Sequence, residues 1–192
     1  MKKLIFATHN QNKVNEVRAV FTAYEVLSLA DLNYHQEIEE TENTFVGNAL
    51  LKARHVFELF KTPVFADDSG LEVTALGGAP GIYSARYAGE EKNHSKNNEK
   101  LLHALKEETH REAQFKTVIA YVDGNSENTF EGVVKGNIAP NISGSGGFGY
   151  DPLFIPDGYD KTFGMLPQEV KLRLSHRSRA VAKLHHYLKS IR

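Results

Sequence analysis

Lys3-Leu4-Ile5-Phe6-Ala7, running straight into Thr8-His9-Asn10-Gln11-Asn12-Lys13, decides the fold. A short apolar run closed by a polar cluster reads as a buried strand ending in a turn. Asn10 is a candidate N-cap, because its side-chain oxygen can satisfy amides that the first helical turn leaves unpaired. Val14, Val17 and Phe21 then recur on one helical face. Strand, polar turn and helix in this order aim backbone N–H groups and a partial positive charge at whatever sits beyond the strand. Lys13, in the first turn, works against that dipole unless an anion offsets it, and phosphate would serve. A solvated surface lysine is the bland alternative.

Working outward, Glu25 to Leu29 reads as a second strand and Asn43 to Phe60 as a long amphipathic helix. Phe45, Ala49, Ala53, Val56 and Phe60 form its stripe, which is core rather than site. Pro63 to Ala66 reads as a buried strand ending in Asp67-Asp68-Ser69-Gly70. A helix is expected near Ser95 to Lys106, and strands over Gln114 to Val122 and Thr129 to Ala139. Asp123-Gly124-Asn125 between those strands signals a hairpin, so the sheet is mixed rather than purely parallel. Leu153 to Ile155 is a short strand. A last helix carries Ala180, Leu184, Leu188 and Ile191, with Ser175 or Ser178 as its N-cap. The sum is one mixed α/β domain over residues 1–192, with six to eight strands and four or five helices.

Bulk composition sets limits on function. Apolar residues at 41% and charged residues at 24% describe an ordinary globular chain. A formal charge of -1 argues against a nucleic-acid polymer as partner, since phosphate backbones are held by excess Lys and Arg. An RNA-binding reading also lacks a basic stripe. The absence of cysteine excludes disulfides, thiolate nucleophiles and cysteine-bound metal. No apolar run approaches the ~20 residues of a membrane span, and residues 1–7 are too short for a signal peptide's apolar region. The expected location is cytoplasmic.

Three further clusters carry chemistry. Glu37-Ile38-Glu39-Glu40-Thr41-Glu42 and the Asp67-Asp68 pair supply carboxylates of the kind a hard divalent cation requires. Read blandly, the first is a solvated loop and the second a turn with side-chain hydrogen bonds. Two acids closing an apolar strand are nonetheless costly unless paired or metal-bound. Gly144-Ser145-Gly146-Gly147-Phe148-Gly149-Tyr150-Asp151 holds four glycines in its first six residues. Glycine allows close backbone approach, Phe148 offers a stacking face and Asp151 an acceptor. That set suits a planar, polar-edged ligand such as a nucleobase, while Tyr150 can equally pack beneath the loop. His176 and Arg177, opening the last helix, add donors. The inventory fits metal-assisted attack on a nucleoside triphosphate.

Five blocks, in order, resemble the inosine/xanthosine triphosphate pyrophosphatase family: Ala7 to Lys13, Ala66 to Leu71, Gly77 to Tyr87, Gly146 to Pro152, and Ser175 to Arg177. The resemblance spans the whole chain. It implies a long curved mixed sheet flanked by helices, two lobes with a central cleft, and a homodimer. It implies Mg2+-dependent hydrolysis of ITP, dITP and XTP to the monophosphate and pyrophosphate. By the same likeness Thr8, His9, Asn10, Gln11, Asn12 and Lys13 hold phosphates, with Lys13 also catalytic. Asp68 is the general base and, with Asp67 and Glu40 or Glu37, binds metal. Ser69, Phe148, Gly149, Tyr150 and Asp151 hold substrate, and Lys171, His176 and Arg177 read the base. His9 stands where many members carry glycine, which narrows the turn. Two other readings compete: a pyrophosphatase preferring modified pyrimidines, and a nucleotide-binding regulator without catalysis. The adjacent acids argue against the second, because binding alone gains little from them.

Overall fold

The structure, a computed structural model, describes residues 2–191. Its elements run β1 (Lys2–Phe6), α1 (Gln11–Arg18), β2 (Tyr24–Ser28), α2 (Phe45–Phe60), β3 (Val64–Val73), α3 (His94–Ala104), β4 (Glu112–Val122), β5 (Glu127–Ile138), β6 (Phe154–Pro156), α4 (Gln168–Leu174) and α5 (His176–Ser190). The strands hydrogen-bond in the order β2-β1-β3-β4-β5-β6. β1 runs parallel to both β2 and β3, whereas β5 and β6 are antiparallel, so the sheet is mixed as expected. Among the described residues no helix is long and apolar enough to cross a membrane.

The contacts divide into two compact units. The first draws on Met1–Asp68, Thr117–Gly132 and Arg177–Arg192, the second on Ser69–Lys116 and Val133–His176. Strands β3, β4 and β5 each change unit part-way along their length.

The first unit is built on the strand-turn-helix opening. Val14 and Val17 of α1 and Ala180, Val181, Leu184 and Leu188 of α5 pack with Leu4, Phe6, Val26 and Phe65 of the strands. The Phe6 and Phe65 rings stack 4.4 Å apart. Each such fully buried side chain contributes roughly 1.5–3 kcal/mol. The second unit's core gathers Leu71 and Val73 of β3, Leu101 of α3, Phe115 of β4, Val134 and Ile138 of β5, and Tyr150, Leu153, Phe154 and Phe163.

Several boundaries differ from expectation for physical reasons. β3 does not stop at Ala66 but continues through Asp67-Asp68-Ser69-Gly70 to Val73. Both acids are buried inside the strand, and both find partners there. Ile191 lies past the end of α5 and is exposed, so the helical stripe ends at Leu188. α5 begins at His176, which places Ser178 inside the helix and leaves Ser175 just before it. The short helix α4 was not foreseen; Pro167 precedes it and Glu169 sits favourably in its first turn.

Candidate active site

In the first unit, Asp67 and Asp68 lie near the middle of β3 and have different environments. The Asp67 carboxylate accepts from Lys13 Nζ at 3.0 Å and from Arg177 Nε at 3.2 Å. Arg177 Nη1 also donates to Glu16 Oε2 at 2.7 Å. Asp68 Oδ2 accepts from Asn48 Nδ2 at 3.1 Å, while Asn48 Oδ1 takes the Glu42 amide. Lys52 Nζ donates to Glu40 Oε1 and, at 2.8 Å, to the Asp67 backbone carbonyl. α2 supplies Asn48 and Lys52 one turn apart, so they share a face. Thr44 opens that helix, its Oγ1 accepting from the Gly47 amide at 3.0 Å.

Electrostatics separate the two acids further. Burial would raise the Asp67 carboxyl, but Lys13, Arg177 and Lys52 outweigh it and hold it well below the usual carboxylate range. Asp68 goes the other way: burial, reinforced by the Glu40 charge, pushes it up to about 6 against the pull of Lys52 and Asn48. Burial lowers Lys13 despite its pairing with Asp67. Burial also works against the Lys52 charge, yet Glu40, Asp68 and Asp67 together raise it. Lys52 and Asn48 are functional candidates that the sequence reading missed. Their signal was present: two polar residues at i, i+4 flank the apolar positions Ala49 and Ala53 on a buried face.

The turn after β1 is shaped largely by its own side chains. Asn10 caps α1, its Oδ1 accepting from the Asn12 and Lys13 amides at 3.0 and 3.2 Å. Two of the amides expected to meet phosphate are therefore occupied by the cap. Thr8 Oγ1 accepts from the Asn10 amide. His9 Nε2 bonds the Gln36 carbonyl at 3.1 Å, tying the turn to the segment that leads into the acidic stretch. Gln11 reaches Asn15 along the helix, and Asn12 is exposed.

A divalent cation fits Glu40 and Asp68 better than it fits the four acids first considered. Asp67 is committed to Lys13 and Arg177. Glu37 is exposed, and among the described residues no group of three or more His, Cys, Asp or Glu is arranged to hold a metal. Mg2+ with a nucleotide needs no such cage, because one or two carboxylates together with substrate phosphates and water suffice. Asp68 is buried and raised by the charge on Glu40, so added positive charge at these two carboxylates is favourable.

The second unit holds the other cluster. Asp151 Oδ2 accepts from the Phe148 amide at 2.7 Å and from Lys171 Nζ at 2.5 Å. Lys171 Nζ lies 4.4 Å from the Phe148 ring centroid, an attractive cation–π placement. Gly147 has φ +73°, and a Cβ there would stand 1.9 Å from Asp151 Oδ2, so only glycine lets the loop close on this carboxylate. His176 stacks on Phe115 with centroids 4.8 Å apart. Tyr150 is buried and its hydroxyl donates to the Ser84 carbonyl at 2.8 Å, so it packs beneath the loop. Ser69 is half-buried on β3. Lys171, His176, Phe148 and Asp151 thus belong to one unit. Arg177, expected among the base readers, belongs to the other, with its guanidinium engaged by Asp67 and Glu16.

The Ham1 family profile matches residues 4–187. The chain belongs to the Ham1 family. Within Ham1, it is 46% identical over 189 residues to the dITP/XTP pyrophosphatase of Flavobacterium psychrophilum, covering 98% of this chain and 100% of that one. It is 49% identical to the protein of the same name from Porphyromonas gingivalis, covering 98% of each. The fold matches the Ham1 protein of Staphylococcus aureus with a TM-score of 0.92 at 43% identity, over 100% of both chains. A Ham1 protein from Coxiella burnetii matches with the same TM-score at 34% identity, over 99% and 100%.

Proposed function

We propose that this Ham1 protein hydrolyses non-standard purine nucleoside triphosphates, dITP, ITP and XTP, to the monophosphate and pyrophosphate. Relatives nearly half identical over their full length bear the name dITP/XTP pyrophosphatase. The observation that carries the reading is Asp68: a carboxyl buried within a strand, raised to about 6, and set among Glu40, Lys52 and Asn48. A buried carboxyl set among such charged neighbours is a candidate general base; Mg2+ beside it would favour its ionised, proton-accepting form.

Glu40 and Asp68 are the residues that would hold Mg2+. When bound, the ion supplies charge neutralisation on the phosphates and a lowered pKa for bound water. The chain's own groups do the rest. Asp68 takes the proton of the attacking water as the anhydride linkage between monophosphate and pyrophosphate breaks. Lys13 and Lys52, both largely buried, place positive charge where the triphosphate accumulates negative charge. Thr8 to Asn12 shape the turn beside it. Asp67, locked by Arg177 and Lys13, keeps the Lys13 ammonium in place.

Base selection falls to the second unit. Phe148 presents a ring for stacking. Lys171, held by Asp151, has only N–H donors to offer. The O6 of hypoxanthine or xanthine accepts such a donor. The 6-amino group of adenine does not, and a buried donor left unpaired costs about 1–3 kcal/mol. His176, Ser69, Gly149 and Tyr150 complete the proposed binding set. We further expect a homodimer in the cytoplasm, on the family resemblance. A panel of dITP, ITP, XTP, dATP, dGTP and modified pyrimidine triphosphates, with and without Mg2+, tests the reading. Turnover of the first three only, and only with metal, is expected. A preference for pyrimidines, or nucleotide binding without turnover, overturns it.

A further inference from the structure

The block Gly77 to Tyr87 is absorbed by neither the metal cluster nor the base cluster. In the structure it becomes a turn followed by a short 3-10 helix over Gly81–Arg86. The one buried residue of that 3-10 helix, Ser84, is a junction. Ser84 Oγ accepts from the Leu71 amide of β3 at 2.8 Å and donates to the Gly81 carbonyl at 2.6 Å. The Ser84 carbonyl receives the Tyr150 hydroxyl and, at 3.4 Å, Asn97 Nδ2. Asn97 also donates to the Ala85 carbonyl and accepts from the Ala88 amide. The adjacent Asn98, likewise buried, donates Nδ2 to the Gly149 carbonyl at 3.1 Å. Two neighbouring asparagines of α3 therefore hold two loops, one through the backbone around Ser84 and the other through the glycine loop itself.

The Asn98 side chain carries a sign of its purpose. Its Oδ1 is buried and has no hydrogen-bond partner among the described residues. Leaving an acceptor unmet is unfavourable, so the amide is not explained by satisfaction of its own oxygen. What the asparagine provides is the single donor to Gly149. A carbonyl can only accept, so the end of the amide that faces it is Nδ2. Gly149 sits at φ +64°, a conformation that glycine adopts readily, and the space a Cβ would take there is open. The residue before it is Phe148, whose amide is already fixed by Asp151. The platform is thus held on one side by Asp151 and on the other by Asn98.

The geometry points to Asn98 as a positioning residue for base selection: by holding the Gly149 carbonyl it fixes the Phe148 ring at the angle at which Lys171 and a stacked purine meet. The inference rests on the assignment of Phe148 and Lys171 to the base. Asn98 touches no substrate itself and acts through the loop.

Asn98→Ala and Asn98→Asp test it, alongside wild type. Alanine removes the donor together with the stranded oxygen, so it is the variant expected to fold normally. Aspartate keeps the shape but sets an oxygen against the Gly149 carbonyl, and only its protonated form can donate. Three readouts are taken on full-length folded protein: affinity for IMP by calorimetry, inhibition by inorganic pyrophosphate, and the ratio of kcat/KM for dITP to that for dATP. Asn98→Ala is expected to weaken IMP about tenfold or more and to lower the ratio by a similar factor. Pyrophosphate inhibition should move less than twofold. The Asn98→Asp defect, divided by the wild-type curve, should shrink as the pH falls through the carboxyl range. Wild-type IMP affinity and selectivity in Asn98→Ala would overturn the inference, as would equal losses for IMP and pyrophosphate or a pH-independent Asn98→Asp defect. If wild type binds IMP no better than AMP, it is the base assignment that fails.

Discussion

Asp67 and Asp68, consecutive residues of β3, are held in opposite electrostatic states: Asp67 bridges Lys13 and Arg177 as a fixed anion, whereas Asp68 is bonded to Asn48 and resists ionisation until about pH 6. The first is a structural charge. The second is the working one on the proposed mechanism. Much of the site's behaviour follows from that division.

Asp67→Asn takes the carboxylate from the largely buried Lys13 and leaves Arg177 paired with Glu16 alone. Removing one partner of a buried ion pair costs about 3–5 kcal/mol, and the loss should appear in urea denaturation at pH 7. The pH dependence has a definite sign. A carboxyl whose folded pKa is depressed stabilises the protein above its unfolded value near 4 and loses that contribution as pH falls toward the folded value. Wild type should therefore lose stability on acidification below about pH 4 more steeply than Asp67→Asn, measured without metal. Parallel acid limbs would contradict the fixed-anion assignment.

Asp68→Asn should do the reverse. A raised folded pKa means that ionisation opposes folding, so the penalty grows as pH rises from about 4 to 6 and is full above it. A shift of about two pK units is worth on the order of 3 kcal/mol, to be discounted for relaxation. The metal-free variant should melt higher than wild type at pH 7.5 and no higher at pH 4. Turnover of dITP should fall at least a hundredfold, within the range typical of general-base removal. A variant with unchanged melting and activity within tenfold of wild type would remove Asp68 from both roles.

Lys52→Met separates charge from packing, since methionine retains much of the stem's volume. Without the ammonium, Glu40 and the Asp67 carbonyl lose a shared donor, and Glu40 repels Asp68 unchecked. Turnover should drop, while Mn2+ binding, followed by electron paramagnetic resonance, should persist or tighten. Loss of metal binding would contradict this arrangement.

Gly147→Ala places a methyl against Asp151 at a left-handed φ. The carboxylate must move, releasing both the Phe148 amide and Lys171. KM for dITP should rise about tenfold or more, and melting should fall as well, because the disturbed Asp151–Lys171 pair is buried. An unchanged KM would mean that Asp151 does not organise the base side.

Legibility in the sequence followed the reach of each interaction. β1, the Asn10 cap, α2 and the hairpin after Val122 were readable, because periodicity and turn chemistry are local. The boundary of β3 was misjudged because two aspartates read as a strand end. Only Lys13, Arg177 and Asn48, distant along the chain, make their burial tolerable. Lys52 was concealed by the apolar stripe beside it, and α4 by its length of seven residues. Arg177 was placed with the base by the family resemblance; its partners Asp67 and Glu16, and the stacking of His176 on Phe115, are long-range contacts that no local pattern shows.

The most direct test is 31P nuclear magnetic resonance of dITP incubated with wild-type protein and Mg2+. The account predicts dIMP and pyrophosphate appearing in equal amounts, with no dIDP, and no reaction when Asp68→Asn replaces wild type. Orthophosphate with dIDP, or undiminished turnover by Asp68→Asn, would contradict it.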